Sequence, residues 1–342
     1  MSPPAPASAV KVILLGYGHL GSALLAGLLA CPKSVHVEAV FRWSGRSTQA
    51  GYFDDAEKHL ATEVRQLGID DIRCEGANSY DFICELQRRK PDVLLIGSWG
   101  EILKPHILEF PDLTVINCHH SLLPAHRGAN PYASVIGSGE SQSGVTFHIA
   151  SAGVDEGDII LQKAVPVYSS DTGGDLRTRC ADTAQTLVPE LIEKITTARN
   201  NNCTIESTPQ NNAQASYYKP LTLEDARIHW QQAPETLYNQ CRALQPWLDC
   251  FCYTDHKNTP RMIATKAITL KSSPHQLPAG TLINMENSTL WVASSQADTI
   301  LGLNRYRLQL GAHLMPETLS GWLAPWLLKK GQILSSELLQ NR

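Results

Sequence analysis

Long hydrophobic runs are absent from this chain of 342 residues. Its longest apolar stretches, such as residues 10–15 and 93–97, have the length of β-strands, whereas a helix that spans a bilayer needs about 20 apolar residues. We therefore expect no membrane span and no membrane partner. The first ten residues are rich in Pro, Ala and Ser without a basic start or an apolar core. They predict a disordered tail at residues 1–9 rather than a signal peptide.

Paired cysteines are also absent. The nine cysteines are odd in number and show no CxxC spacing, whereas disulfide frameworks and structural zinc sites need paired thiols. We expect free thiols, no metal and a cytoplasmic location, where thiols stay reduced. Cys250 and Cys252 flank one residue in an alternating apolar stretch, which predicts two thiols on the same face of a strand.

An excess of basic residues is missing as well. The formal net charge is −4 and the isoelectric point is near 6.3. Nonspecific binding of nucleic acid depends on clustered Lys and Arg. We therefore expect no DNA partner, and any contact with RNA would have to be local.

What the chain does contain is an apolar fraction of 43%, enough at this length to form a core in each of two domains. Strand-like and helical segments alternate in a first domain at residues 10–199, as in an α/β domain with a mostly parallel sheet. The predicted strands span residues 11–16, 35–41, 92–97, 113–117, 144–149 and 159–167. The predicted helices span residues 19–30, 55–67, 80–89 and 172–200, the last beginning at a Thr/Asp cap.

The second half has a different pattern. Residues 200–216 are polar and aperiodic, which is typical of a linker over the surface. A second domain is predicted at residues 217–325 and a C-terminal tail at 326–342. One helix at 233–244 precedes short strand candidates separated by Gly, Pro, Asn and Ser, which indicates a small β-barrel. These strands are predicted at residues 250–254, 262–270, 280–284, 289–293 and 299–308.

The hexapeptide GYGHLG at residues 16–21 joins the first strand to the first helix, which is the setting of a dinucleotide-binding fingerprint. The second strand ends without the acidic residue that would bind a ribose hydroxyl, so this interpretation predicts NADP with Arg42 on its 2′-phosphate. The alternative is geometric, because a tight strand-to-helix turn needs glycines whatever it binds. One hexapeptide does not decide between the two.

A more specific combination of polar residues follows the strand at 113–117. Asn117 and His119 are two residues apart, so on an extended strand both side chains point to one face, at the carboxyl end where open α/β sheets bind ligands. The glycine-rich turn at residues 153–158 can bring Asp155 to the same place. Each residue alone is more often a turn or capping residue. The combination indicates an active site.

The segments around these residues are NCHHSLLPAHRG at 117–128, GVT at 144–146 and DEGD at 155–158. After the linker come YYKPL at 217–221, ARIHW at 226–230 and RALQPW at 242–247. In order and spacing they resemble the methionyl-tRNA formyltransferase family, the N-formyltransferases that use 10-formyltetrahydrofolate and include sugar N-formyltransferases. The resemblance implies a Rossmann-like catalytic domain followed by a small OB-like β-barrel.

The resemblance also implies a catalytic triad of Asn117, His119 and Asp155. These residues would move a formyl group from 10-formyltetrahydrofolate to a primary amine through a tetrahedral intermediate. The Asn117 amide and a cationic His119 would donate to the oxyanion. His119 or Asp155, directly or through one water, would take the proton of the amine. The order of these proton transfers stays open.

Further site residues are expected from the same resemblance. The donor's pterin would contact residues from two loops: Ser98, Trp99, Gly100, Ile102, Leu103, Val154 and Asp158. Ile102 and Leu103 could equally be core residues. The candidates on the acceptor side are Gly18, His19, Arg42, Arg127 and Asn130. Other histidines are interpreted as lining or surface residues rather than metal ligands: His120, His126 and His148. Cys118 should face into the fold and not act as a nucleophile.

The chain departs from the family in ways that bear on the acceptor. The family's long basic loop after the second strand is reduced to residues 42–51, Lys and Arg are sparse from Lys257 to Lys330, and the Pro-Trp-Pro-like segment reads PWLD at 246–249. We therefore expect a small-molecule acceptor, an amino sugar nucleotide or an amino-acid-derived metabolite. Methionyl-tRNA is the second hypothesis, an NADP-dependent oxidoreductase the third and a noncatalytic binding module the fourth. The oligomeric state stays open.

Overall fold

The computed structural model describes residues 9–43, 55–254, 262–310 and 312–337. The chain forms two compact units. The first unit comprises Met1–Pro131, Gln142–Pro166 and Leu176–Pro220, and the second comprises Tyr132–Ser141, Val167–Asp175 and Leu221–Arg342. Most of the predicted N-terminal tail, residues 44–51 of the short loop, Lys257 and residues 338–342 of the predicted C-terminal tail lie outside the described residues.

The elements of the first half alternate as predicted. The strands are β1 Val10–Gly16, β2 Val35–Trp43, β3 Asp71–Cys74, β4 Val93–Gly97, β5 Thr114–His119, β6 Arg127–Gly128, β7 Gln142–Ile149, β8 Ile159–Pro166 and β9 Tyr217–Tyr218. The helices are α1 Gly18–Leu29, α2 Asp55–Gln66, α3 Tyr80–Arg89, α4 Pro105–Leu108, α5 Pro131–Gly137 and α6 Gly173–Asn200. Five short elements were not predicted, because they lack a hydrophobic period long enough to detect: β3, β6, β9, α4 and α5.

One twisted sheet forms the centre of the first unit. Its strands follow the order β3-β2-β1-β4-β5-β7-β8. The five strands from β3 to β5 are parallel, whereas β7 is antiparallel to both β5 and β8. All residues of β4 are buried, as expected of an apolar strand that is covered on both faces. The prediction of a mostly parallel Rossmann-like sheet is confirmed.

The glycines of the hexapeptide have a packing role. A Cβ on Gly21 would lie 2.8 Å from Leu60 and 3.0 Å from the backbone of Gly16, and a Cβ on Gly97 would lie 2.5 Å from Leu24. These distances are shorter than van der Waals contact, so α1 can pack this close to β1 and β4 only with glycine at these positions. The geometric interpretation therefore accounts for the hexapeptide without a dinucleotide.

The long helix α6 begins at the predicted cap. The Thr172 hydroxyl accepts a hydrogen bond from the Asp175 backbone N–H at 3.2 Å, and the Asp175 carboxylate accepts one from the Thr172 backbone N–H at 2.9 Å. This reciprocal pair is a capping box, which satisfies two backbone donors that the first turn leaves open.

The second unit contains a small antiparallel barrel. Its elements are α7 Pro234–Leu244, β10 Cys250–Thr254, β11 Met262–Ser272, β12 Leu282–Glu286, β13 Thr289–Ala293, β14 Thr299–Leu310, β15 His313–Leu314, α8 Glu317–Leu327 and β16 Leu334–Ser335. The main strands follow the order β12-β13-β14-β11-β10-β16. An antiparallel bridge between Thr281 and Ile333 links the first strand of this order to the last. The prediction of an OB-like barrel is confirmed, and Cys250 and Cys252 face its core.

Two segments that were predicted to lie outside the domains pack onto them. In the expected C-terminal tail, Leu334 is 1% exposed and β16 pairs with β10. In the expected linker at residues 200–216, Thr208 pairs with Ile159 and the Ser216 hydroxyl accepts a hydrogen bond from the His126 backbone N–H. Both segments are short and without a clear hydrophobic period, so their pairing depends on tertiary contacts that no local pattern reveals.

Candidate active site

The carboxyl ends of β1, β4 and β5 lie level at one edge of the first sheet. Gly16 pairs with Gly97, and Ile96 pairs with Asn117. The turns that follow these three strands therefore begin side by side, at the edge where open α/β sheets bind ligands. Asn117 and His119 lie at this edge, as the strand pattern predicts.

Asp155 reaches the same edge from the turn between β7 and β8. Its φ of 54° is left-handed, a conformation that Asp adopts more readily than most residues. Its carboxylate accepts hydrogen bonds from Asn117 Nδ2 at 3.0 Å and from the Gly128 backbone N–H at 2.9 Å. The His119 Nδ1 atom lies 3.5 Å from Asp155 Oδ2. The structure thus brings together the three residues that sequence analysis assigned to catalysis.

His148 is a fourth member of this cluster, and sequence analysis had treated it only as a lining or surface residue. It pairs with Asn117 across β5 and β7 and is 2% exposed. Its Nδ1 lies 2.9 Å from the Ile149 carbonyl, which can only accept, so Nδ1 carries the proton. Nε2 of the neutral ring then accepts from Asn117 Nδ2 at 3.1 Å. Both N–H bonds of the Asn117 amide are engaged, and its orientation is fixed.

The His119 ring is fixed in the same way. Its Nε2 lies 2.8 Å from the His126 carbonyl, so Nε2 carries the proton of the neutral ring. Nδ1 is then unprotonated and faces the Asp155 carboxylate. The 3.5 Å between Nδ1 and Asp155 Oδ2 is longer than a normal hydrogen bond, as expected between two acceptors. Protonation of Nδ1 would create an N–H group directed toward Asp155. The geometry suits a base whose protonated form a carboxylate stabilises.

Burial and charge set the ionisation of this pair. Burial lowers the pKa of His119, and the Asp155 carboxylate offsets only part of that effect. Burial alone would raise the pKa of Asp155, but the positive charge that the His119 and His148 rings carry when protonated, together with the Gly128 N–H, holds it well below its ordinary value. At neutral pH the site therefore holds a neutral imidazole opposite a carboxylate, as a general base requires.

A nearby histidine should make stability depend on pH. His120 is 4% exposed, and burial lowers its pKa from 6.5 to about 3. As the pH falls below 6.5 the unfolded chain takes up this proton before the folded chain does, so the free energy of unfolding declines towards pH 3. The change His120→Leu should flatten this decline by up to about 1.4 kcal/mol per pH unit. Urea unfolding of both proteins at neutral and at mildly acidic pH measures it, and parallel declines would contradict it.

Cys118 faces away from the cluster. It alternates with Asn117 and His119 along β5 and is 4% exposed. Burial raises the pKa of its thiol well above the ordinary value, so a thiolate is disfavoured. We expect Cys118→Ser to keep kcat on the order of the wild-type value. Complete loss of turnover in a variant with a normal circular dichroism spectrum would instead identify the thiol as a nucleophile.

The two arginines expected on the acceptor side are engaged within the protein. Arg42 is 4% exposed, and its Nε and Nη2 donate to Asp71 at 2.5 and 2.9 Å. Arg127 is fully buried, and its Nη2 donates to Gln210 at 2.7 Å. Both guanidinium groups therefore have structural partners.

The other acceptor-side residues lie in turns and at a helix start. Gly18 begins α1 with a φ of 57°, Asn130 follows β6 with a φ of 53°, and His19 is half-buried on α1. These three remain candidates for contact with the acceptor.

The residues expected to bind the donor differ in exposure. Ile102 is 64% exposed and Val154 is 38% exposed, so neither is a core residue. Leu103 is 7% exposed and packs in the core of the first unit. Three further residues of these loops are exposed: Ser98, Gly100 and Asp158. The two loops thus offer apolar side chains to a ligand, while Leu103 supports its loop from below.

Trp99 contributes a buried polar atom to the first loop. Its ring packs edge-on against Trp43, with the ring centroids 5.1 Å apart. Its Nε1 is buried and has no hydrogen-bond partner among the described residues. A buried N–H without an acceptor is costly, so this atom is a candidate donor to a bound ligand.

Among the described residues no group of three or more His, Cys, Asp or Glu side chains is arranged to hold a metal.

Comparison with known families decides the class of protein. Residues 10–192 match the formyl transferase family, and residues 220–318 match the formyl transferase C-terminal domain. The chain belongs to the formyltransferase family. It is a formyl-transferring enzyme, as the resemblance implied, and the match covers parts of both units.

This formyltransferase is 30% identical over 245 residues to the methionyl-tRNA formyltransferase of Pseudomonas fluorescens strain Pf-5, covering 70% of this chain and 73% of the relative. It is 28% identical over 309 residues to the methionyl-tRNA formyltransferase of Pseudomonas putida strain GB-1, covering 89% of this chain and 93% of the relative.

The helices of the described residues include none with the length and apolar character that a membrane span requires.

Two solved structures share its fold. One is an N-formyltransferase from Helicobacter canadensis in complex with folinic acid and dTDP-3-aminofucose, with a TM-score of 0.60, 19% identity and coverage of 86% of this chain and 99% of that one. The other is WlaRD, a sugar 3N-formyl transferase, with a TM-score of 0.61, 17% identity and coverage of 87% and 98%. At these identities the likeness concerns the fold alone.

Proposed function

We propose that this formyltransferase moves the formyl group of 10-formyltetrahydrofolate to the primary amine of a small molecule. The observation that carries the proposal is the cluster of Asn117, His119 and Asp155 at the ligand-binding edge of the sheet, where Asn117 donates to Asp155 and His119 Nδ1 lies 3.5 Å from Asp155 Oδ2. A formyl group needs a donor for its oxygen and a base for the attacking amine, and the cluster contains both kinds of group.

The reaction divides between these side chains. The amine nitrogen attacks the formyl carbon, and the carbonyl oxygen gains negative charge as a tetrahedral intermediate forms. Asn117 Nδ2, which is engaged by Asp155 and His148 in the free site, donates to that oxygen when the formyl group displaces the contact with His148. A hydrogen bond formed at this stage stabilises the transition state more than the ground state.

Proton transfer completes the exchange. The amine loses a proton to His119 Nδ1, and Asp155, whose nearest carboxylate oxygen is 3.5 Å away, stabilises the resulting imidazolium. The bond between the formyl carbon and N10 of the folate breaks, and N10 gains a proton. The products are a formamide and tetrahydrofolate, so no oxidant or reductant is needed.

The loops beside the cluster fit a folate. A pterin is flat, largely apolar on its faces and rich in hydrogen-bonding atoms at its edge. Ile102 and Val154 are exposed apolar side chains, and the buried Trp99 Nε1 is a donor in need of an acceptor. Pockets for such ligands combine apolar walls with a few polar groups. The solved N-formyltransferase from Helicobacter canadensis, in complex with folinic acid, supports the same class of donor.

The charge of the second unit favours a small acceptor. Residues 221–342 carry eleven Lys and Arg against nine Asp and Glu. Within the described part of this segment several of the cations are paired with carboxylates: Arg227, Lys266, Arg305 and Arg307. Affinity for RNA rises with the number of phosphates that Lys and Arg neutralise, and paired cations contribute little to it.

Methionyl-tRNA is the second candidate acceptor. Its support is the sequence similarity, because the relatives at about 30% identity are named methionyl-tRNA formyltransferases. An NADP-dependent oxidoreductase has weaker support, because the Arg42 guanidinium that would bind the 2′-phosphate is paired with Asp71. Fluorescence titration with NADPH tests that alternative directly, and we expect no binding.

An acceptor panel tests the proposal. Release of tetrahydrofolate from 10-formyltetrahydrofolate is followed by absorbance with amino sugar nucleotides, free amino acids, ornithine-like amines and methionyl-tRNA. We expect turnover with a small amine that persists at high salt, because exposed long-range charge contacts are screened and a small acceptor needs few of them. Turnover with methionyl-tRNA alone would assign the second candidate, and no turnover together with NADPH binding would refute formyl transfer.

A further inference from the structure

We propose that Gln210, in the segment between the two matched family regions, is a positioning residue that holds Asp155 in its catalytic conformation. The inference rests on the proposed function, because it assigns Gln210 a role in the same reaction. Residues 207–218 lie outside both matched regions, and sequence analysis placed most of them in a surface linker. Their contacts in the first unit indicate a different role.

The Gln210 side chain bridges the turn that carries Asp155. Its Nε2 donates to the Asp155 carbonyl at 2.8 Å and to the Gly157 carbonyl at 2.7 Å. Both N–H bonds of the amide are therefore used on one turn. Asp155 has a left-handed φ of 54°, which a residue other than glycine keeps only when its surroundings stabilise it. The two hydrogen bonds supply such stabilisation on either side of Glu156.

The orientation of Gln210 is itself determined by a buried arginine. Arg127 is fully buried and donates to Gln210 Oε1 from Nε at 3.1 Å and from Nη2 at 2.7 Å. Two donors on Oε1 leave only Nε2 to face the turn, so the amide cannot flip. Arg127 also donates to Asn212 Oδ1 at 2.8 Å and to the Tyr217 hydroxyl, and Glu156 lies 3.5 Å away to balance its charge.

The same segment holds the carboxylate end of Asp155. Strand β9 pairs with β6, and the Arg127 backbone N–H donates to the Ser216 carbonyl at 2.8 Å. This pairing fixes Gly128, whose N–H donates to Asp155 Oδ2 at 2.9 Å. A Cβ on Gly128 would overlap the Tyr218 carbonyl, so the strand approaches as closely as the backbone allows. One stretch of chain thus holds both the backbone and the side chain of Asp155.

A loss of Gln210 should therefore act through Asp155. In Gln210→Met the side chain keeps its length and neutrality but makes no hydrogen bonds, so the turn can relax and move the carboxylate away from His119. We expect kcat to fall by about tenfold to a hundredfold, because small displacements of a catalytic group cost on that order. The KM for 10-formyltetrahydrofolate should change much less.

Two readouts separate positioning from a merely structural effect. Asp155 raises the pKa of His119, so ring nitrogen NMR should find the His119 pKa lower in Gln210→Met than in wild type. In an Asp155→Asn background the same change should lower kcat no further, because coupled residues are not additive. The matched control is Asn211→Ala, which removes a hydrogen bond from the same segment to Ala213 but none to the turn.

A second variant keeps the proposal testable if Gln210→Met does not fold. Gln210→Glu keeps an acceptor for Arg127 but sets oxygens against the carbonyls of Asp155 and Gly157, so it should also lose kcat. An unchanged His119 pKa in a folded variant, or additive losses in the double variant, would overturn the proposal. The NMR readout needs no substrate. Absence of turnover in the wild type would therefore refute the proposed function while the positioning of Asp155 is still tested.

Discussion

Replacing Asp155 with asparagine should lower kcat by about two to four orders of magnitude, the usual contribution of acid–base catalysis to the rate. The carboxylate accepts hydrogen bonds on both oxygens, from Asn117 Nδ2 and from the Gly128 N–H. The asparagine amide can accept a hydrogen bond only at its oxygen. Its NH₂ group would place a donor opposite one of these two donors. It also lacks the charge that stabilises protonated His119.

The pH profile of Asp155→Asn provides a second signature. His119 must be neutral to accept a proton, and burial lowers its pKa below 6.5 while Asp155 opposes that shift. The acid limb of kcat/KM should therefore lie below pH 6.5 in the wild type and at still lower pH in the variant. Asp182→Asn, on an exposed position of α6, is the matched control and should leave both rate and profile unchanged. An acid limb that stays in place would separate Asp155 from the ionisation of His119.

The change His119→Ala should reduce kcat by about three orders of magnitude with little effect on donor binding. In the proposed mechanism it removes the group that takes up the amine proton. It also removes a ring that is 6% exposed and bonded to the His126 carbonyl. Stability should fall moderately, so thermal unfolding must be measured beside activity.

His36→Ala is the control for His119→Ala, since His36 has a largely exposed side chain on β2. It should retain wild-type kcat and donor affinity. Wild-type rates in a folded His119→Ala protein would exclude His119 as the base. Loss of folate binding along with kcat would instead assign the residue to the donor pocket.

Much of this arrangement could be predicted from the sequence because its signals are local. Continuous apolar runs such as β4 indicate buried strands, and the two-residue spacing of Asn117 and His119 places them on one face of β5. The Thr172 cap marks the start of α6. Each of these features depends on residues close together in the chain.

The features that sequence analysis missed depend on distant pairing. His148 joins the cluster only because β7 runs antiparallel to β5 and sets it opposite Asn117. Gln210 lies in a polar stretch with no periodicity, and its contact with the Asp155 turn spans 55 residues. The partners of two arginines are distant as well, because Arg42 donates to Asp71, 29 residues away, and Arg127 donates to Gln210, 83 residues away.

The most direct test of formyl transfer uses 10-formyltetrahydrofolate with a carbon-13 label in the formyl group. Mass spectrometry of the acceptor panel after incubation with the wild type should find one amine carrying the labelled formyl group. The same mixture with His119→Ala or Asp155→Asn should contain almost none. Equal labelling by wild type and both variants, or no labelled amine in any mixture, would contradict catalysis by Asn117, His119 and Asp155.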